Sequence, residues 1–336
     1  MLDLLKSLCE LDGASGDEKS VRDFIISKID GFCDWKTDAL GNIIAFKKGE
    51  KRSAKRLMID AHTDEVGFII TSVTDGGFLK FKVVGGIETS ALMLRHVTIN
   101  GNLKGVICGK PIHLISEAER KKLPNKDSLY IDIGASSKEE AEKLVLVGDC
   151  GVIDGEFETL GEKIVSKALD DRIGCAILIT LLREKAEYDF YASFSVQEEL
   201  GCRGAKTAAF AIDPEVALVL EATTAADIAD VGEENTVCKL GCGPAISFMD
   251  RATVYDRELY HAALNSGITC QPKSAVAGGN NSGAIHLSKE GVRTLAISAP
   301  CRYIHSCSSV AHKADIENAY KLCKYMLSGI CSGEIK

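Results

Sequence analysis

FYASFSVQEELGCRGAKTAAFAIDPEVALVLEA, residues 190–222, decides how this chain folds. An uncharged β-prone run, FYASFSV, reads as a strand. RGAKTAAF reads as a helix, and EVALVLEA as a second strand. Strand, helix and strand in this order are the unit of a layered sheet with helices on its faces. The turn between them carries two adjacent glutamates, Glu198 and Glu199, at a strand end. Burying such a pair is costly, because like charges repel and desolvation disfavours both anions. A cation at the site, or a role for one glutamate as proton carrier, explains the arrangement.

The same alternation continues outward from this segment. Upstream, a helix over roughly 172–185 follows Asp170-Asp171 in SKALDDRIG. Downstream come a helix (RELYHAALNSG), a strand (TCQPKSAVA), a helix (SGAIHLSKEG), a strand (RTLAISAP) and a final helix (ADIENAYKLCKYML). Residues 1–30 read as two helices around a Gly-Ala-Ser-Gly turn, with Val21, Phe24, Ile25 and Ile29 at helical spacing. Short strands around Trp35 and over Asn42–Phe46 precede the apolar strand RLMIDAH. The stretch 66–162 differs, with β-rich runs such as VGFIITSV, GFLKFKVV and LKGVICG set between glycines. It reads as a small barrel or sandwich. The expected organisation is therefore an α/β domain of residues 1–65 plus 163–336, interrupted by an all-β insertion of residues 66–162.

Composition excludes several classes. A formal charge of -8 and the lack of a basic stripe argue against nucleic acid. The longest apolar runs, such as CAILITLL at 175–182, are too short to span a bilayer, and the N-terminus has no signal-peptide core. The 13 cysteines are an odd number, scattered through apolar segments without a CxxC pair. They read as buried thiols in a reducing cytoplasm.

The chemistry-bearing residues fall at strand ends or in the loops after them, where open α/β sheets place their sites. They are His62 and Asp64 in MIDAHTDEVG, Asp170-Asp171, Glu198-Glu199, Glu221 in VLEAT and His305 in CRYIHSC. Imidazoles interleaved with carboxylates suit a pair of hydrolytic divalent metals. Each fragment alone has a plainer reading. HxD occurs in surface loops, Asp170-Asp171 suits a helix N-cap, and Glu221 suits a solvated strand terminus. His96, His113, His261, His286 and His312 lack a carboxylate context. The chain contains no GxSxG elbow, Walker loop, GxGxxG or HExxH.

The ordered set DAHTDEVG, ALDDRIG, QEELGCRGA, VLEAT, AGGNNSGAIH and RYIHS resembles the cytosolic metallo-aminopeptidases of the tetrahedral-dodecamer (TET) type. That family includes glutamyl and leucyl aminopeptidases and proteins once labelled cellulases. The resemblance spans essentially the whole chain. It implies a phosphorylase/hydrolase-like three-layer α/β catalytic domain, with the β insertion as a dimerisation domain. It implies two divalent metal ions per subunit, zinc first, with cobalt or manganese as the other fits. His62 and Glu221 would hold one ion, His305 and Glu199 the other, and Asp170 would bridge both. Asp64 would orient His62, and Glu198 would be the general base. The implied partners are short peptides, cleaved at their N-terminus, and further copies of the chain. A metal-dependent deacylase or carboxypeptidase, or a silent homologue, would use the same scaffold. The chain departs from the family pattern in three places. Glu221 stands where Asp is usual, Asn280-Asn281 stand within a GGTDA motif, and Cys307 replaces a proline.

Overall fold

The computed structural model describes residues 1–276 and 278–335. A hairpin, β1 (Asp34–Thr37) and β2 (Ile43–Lys47), is followed by β3 (Leu57–His62). Six strands then close into a barrel: β4 (Gly67–Val73), β5 (Leu79–Val84), β6 (His96–Ile99), β7 (Leu103–Cys108), β8 (Tyr130–Asp132) and β9 (Cys150–Ile153). The chain returns to the main sheet through β10 (Glu158–Leu160), β11 (Lys163–Ser166), β12 (Phe190–Ser195) and β13 (Val216–Thr224). The sheet is completed by β14 (Ala245–Ile246), β15 (Gln271–Pro272), β16 (Arg293–Arg302) and β17 (Ser309–His312). Its order is β1-β2-β12-β3-β13-β16-β17-β11-β10, with β14 and β15 attached beside β16. The barrel strands thus run from Gly67 to Ile153, while β10 pairs with β11 in the main sheet.

The four central strands, β12, β3, β13 and β16, pair in parallel. A parallel sheet is covered on both faces, so its strands are apolar throughout. Every residue of β3 is buried, and side chains alternate between two cores. Ile59, Leu218 and Leu220 face one core, while Met58, Ala217 and Val219 face the other. The first core is covered by α1 (Leu2–Cys9), α2 (Lys19–Ile29) and α3 (Leu169–Arg183), together with the helices Arg257–Leu264 and Lys313–Ser332. The second is covered by Arg203–Ile212 and the short turn Ser282–Ile285. Three layers result. Each fully buried Ile or Leu contributes about 1.5–3 kcal/mol through removal of apolar area from water. The barrel has its own core of Phe68, Ile70, Leu79, Ile99, Ile107 and Ile131. Gly151 lets β9 pass the Phe68 ring, which a Cβ there would strike.

Two expected elements are shorter than their sequences suggest. Of TCQPKSAVA, only Gln271–Pro272 is strand, because Pro272 offers no backbone donor to a ladder; its last residue, Ala277, lies outside the described residues. Of SGAIHLSKEG, only Ser282–Ile285 is helix. The thirteen cysteines are all free thiols.

Candidate metal centre

Parallel pairing brings the C-terminal ends of the central strands to one edge. His62 closes β3 and is in register with Ser195 of β12, so Glu198 and Glu199 follow directly beside it. Glu221 lies near the end of β13, opposite Ser298 of β16, and His305 follows β16. Asp170 enters from the first turn of α3, whose backbone is non-helical at Asp170 and Asp171.

The imidazole of His62 is buried, with Nδ1 3.0 Å from the backbone carbonyl of Asp64. A carbonyl only accepts, so Nδ1 carries the hydrogen and Nε2 presents its lone pair. That Nε2 lies 3.2 Å from Asp170 Oδ1 and 3.4 Å from Glu221 Oε1. His305 repeats the arrangement. Its Nδ1 is 2.9 Å from the carbonyl of Gly86, a residue that follows barrel strand β5. Its Nε2 lies 3.3 Å from Asp170 Oδ2 and 3.2 Å from Glu199 Oε1. The two oxygens of Asp170 therefore face two different imidazoles. His62, Asp170 and Glu221 form one group that could hold a metal ion, and Asp170, Glu199 and His305 form another.

The donor set fits a small divalent cation. Lone pairs on nitrogen and anionic oxygens repel one another at these separations unless positive charge lies between them. Donors on a tetrahedral zinc at about 2.0–2.1 Å stand about 3.3–3.4 Å apart, close to the 3.2–3.4 Å observed. The electrostatics agree. Burial alone would lower the pKa of His305, yet the carboxylates of Asp170 and Glu199 beside Nε2 hold it up to about 11. The cluster demands positive charge. Glu198 is different. Burial pushes its carboxyl up to about 7, a push that His62 opposes and Glu199 reinforces.

The surrounding residues divide their work. Asp171 accepts from the backbone N–H of Gly174 (2.9 Å) and of His62 (3.3 Å), so it caps α3 and fixes the end of β3. The carboxylate of Asp64 lies 3.4 Å from His62 Nδ1. It accepts better hydrogen bonds from Glu198 N (2.9 Å), Glu199 N (3.1 Å) and Ser15 Oγ (2.6 Å). Beneath His62, Asp60 is fully buried and accepts from Ser193 Oγ, Ser195 Oγ and Asn281 Nδ2, the last at 2.7 Å. Asn281 is thus an amide facing a carboxylate that strand β3 supplies. Cys307 is buried and packs with the barrel core. A cavity of about 440 Å³ opens beside the cluster, lined by Asp170, Glu198, Glu199, Glu221 and His305, and farther on by Lys273.

All eight residues singled out in the sequence meet at this edge. Sequence reasoning missed Ser15, Glu18, Asp60 and Gly86. Asp60 gave a signal, as an ionisable residue inside an apolar strand. Gly86 gave none, since it acts through a backbone carbonyl.

The family model for M42 glutamyl aminopeptidase matches residues 41–322. The chain belongs to this family. A putative aminopeptidase of Acetivibrio thermocellus is 38% identical over 98% of both chains. Among solved structures, aminopeptidase APDkam598 of the archaeon Desulfurococcus kamchatkensis superposes with a TM-score of 0.93 at 36% identity, covering 99% of this chain and 96% of that one. The Pyrococcus horikoshii TET1 peptidase, described as assembling into a tetrahedron or a large octahedral shell, gives a TM-score of 0.86 at 35% identity, covering 97% and 98%. This M42 chain is accordingly a peptide hydrolase. No helix among its described residues is long and apolar enough to cross a membrane.

Proposed function

We propose that this M42 peptidase removes N-terminal residues from short peptides with two divalent cations per subunit. His62 and Glu221 hold one, His305 and Glu199 the other, and Asp170 is shared. The observation that carries this reading is the placement of the two Asp170 oxygens against two separate imidazole nitrogens. Zinc fits these donors, as do cobalt and manganese. Bound there, such cations polarise the scissile carbonyl and lower the pKa of water. Glu198 is the general base. It is adjacent to the cluster yet belongs to neither ligand group. Its proton affinity near neutrality suits it to take a proton from water and return it to the leaving amine. The carboxylates that line the cavity offer negative charge to the α-ammonium of a substrate.

We assign residues 1–65 and 163–336 to catalysis and the inserted segment 66–162 to self-association, as a dimer and up to a tetrahedral dodecamer. Exposed Ile112, Leu114 and Leu123 on the insertion support this assignment. A cytoplasmic location suits thirteen free thiols.

Chelation followed by metal return tests the proposal on aminoacyl amides and N-acetylated counterparts. Activity should vanish on chelation, return with zinc, cobalt or manganese, and require the free amine. Turnover in metal-free protein would refute the metal centre. Cleavage of the acetylated substrates would refute the aminopeptidase assignment.

A further inference from the structure

The N-terminal segment Gly13–Glu18, between α1 and α2, lies beside the site. It is tied to the loop after β3 by backbone hydrogen bonds. Glu65 N donates to Gly13 O at 2.9 Å, and Ser15 N donates to Glu65 O at 3.3 Å. Gly13 permits this approach, since a Cβ there would stand 2.7 Å from both Arg172 and Val21. From this anchored strap two buried side chains emerge. Ser15 Oγ donates to Asp64 Oδ2 at 2.6 Å. Glu18 Oε1 accepts from Gly16 N at 2.7 Å and from Gln197 N at 3.1 Å.

Consecutive backbone N–H groups at the end of β12 are thereby held by anions from other segments. Gln197 N is held by Glu18, while Glu198 N and Glu199 N are held by Asp64, which Ser15 secures in turn. Gln197 has φ 55, so the chain turns sharply at this point. The neighbouring peptide groups fix where Glu198 and Glu199 project. Removing one donor from such a network loosens the carboxylate and the N–H groups that share it.

We infer that the strap Gly13–Glu18 positions the catalytic carboxylates, with Ser15 and Glu18 as positioning residues that touch neither substrate nor cation. The inference rests on the reading of Glu198 as the base, which the experiment separates from it. Ser15→Ala, Ser15→Thr, Glu18→Ala and Glu18→Gln are made in the full chain. Two measurements are taken: kcat and KM with metal content in the loaded protein, and hydrogen exchange of the peptide covering 196–200 in the metal-free protein. Small displacements of reacting groups cost up to about 100-fold in rate. Ser15→Ala and Glu18→Ala should lower kcat per metal-loaded subunit about 10–100-fold, with little change in KM. Ser15→Thr and Glu18→Gln keep the donor and the acceptor, so they should recover most of the loss. The amides of 197–199 should exchange about tenfold faster in the alanine variants, as local protection is lost. Unchanged exchange at these amides overturns the inference. A fall in kcat that only tracks lost metal also overturns it. If Ser15→Ala fails to fold, the contrast between Glu18→Ala and Glu18→Gln decides in the same way. Wild-type protein with no metal-dependent turnover would sink the proposed function, while the exchange measurement would still uphold or overturn the positioning of the turn.

Discussion

His62 and His305 face the same carboxylate, Asp170, yet the molecule holds them in different ways. The His62 side chain is 1% exposed, and its ring is fixed at the sheet edge by the carbonyl of Asp64, two residues on. The backbone of β3 runs into it, Asp171 accepts from the backbone N–H of His62, and Asp60 with Asn281 packs beneath. His305 is 32% exposed and sits on a left-handed backbone residue after β16. Its Nδ1 contact comes from Gly86, beyond the barrel strand β5. One half of the centre is therefore built into the sheet, while the other depends on how the barrel lies against it. Pre-formed donors lose less freedom on binding, and outer partners that orient a ligand are worth about 10–100-fold in metal affinity. Two halves with similar donors need not bind alike.

The largest effect should come from Glu198, which belongs to neither half. Glu198→Gln cannot accept a proton, and loss of a general base costs about 10²–10⁴-fold in rate. Both cations should remain, as counted by metal analysis. Loss of metal with activity would make Glu198 a ligand and merge it into the His305 half beside Glu199.

Asn281→Asp probes the sheet-built half. It would set a second carboxylate within hydrogen-bonding distance of Asp60, where Asn281 Nδ2 now stands at 2.7 Å. Both groups are buried. Unpaired like charges in such a place cost about 2–4 kcal/mol, read as a lowered denaturation midpoint. Asp60→Asn in the same chain should recover most of that stability by exchanging the two roles. An unchanged midpoint would mean that the platform beneath His62 tolerates charge, and the contrast with the His305 half would lose its basis.

The sheet-built half was the more legible in the sequence. DAHTDEVG and VLEAT end apolar runs, so His62 and Glu221 could be put at strand ends from pattern alone, while their roles came only with the family resemblance. The alternation of strand and helix also pointed to the layers. The connection 196–202 that carries Glu198 and Glu199 was readable as acidic but not as positioned. Its supports, Ser15 and Glu18, lie more than 170 residues away along the chain, and no local periodicity links them. Gly86 was silent for a different reason, since a backbone carbonyl leaves no trace in residue type. TCQPKSAVA misled because its β-prone residues surround a proline that cannot donate to a ladder. Asp60 was visible as a charge in an apolar strand, but its partner Asn281 comes from a loop 221 residues on.

The smallest effect separates the two halves directly. In a chelator titration of wild-type protein, the cation held by His305, Glu199 and Asp170 should leave first. Its imidazole is more exposed, and its Nδ1 partner belongs to the barrel side. The His62 site should lose less when the barrel shifts, because its supports lie in α3 and only two residues beyond the end of β3. An affinity difference of about tenfold, or about 1.4 kcal/mol, is the scale that outer-shell support confers. His305→Ala should then lose that one cation while retaining most of the other, because only Asp170 is common to both groups. His62→Ala should do more damage, since it opens a buried space among Asp64, Asp170 and Glu221 and leaves those carboxylates facing one another. Should both cations leave wild-type protein together, with one midpoint, the two halves act as a single cooperative unit through Asp170. The difference in how the two histidines are held would then have no energetic consequence.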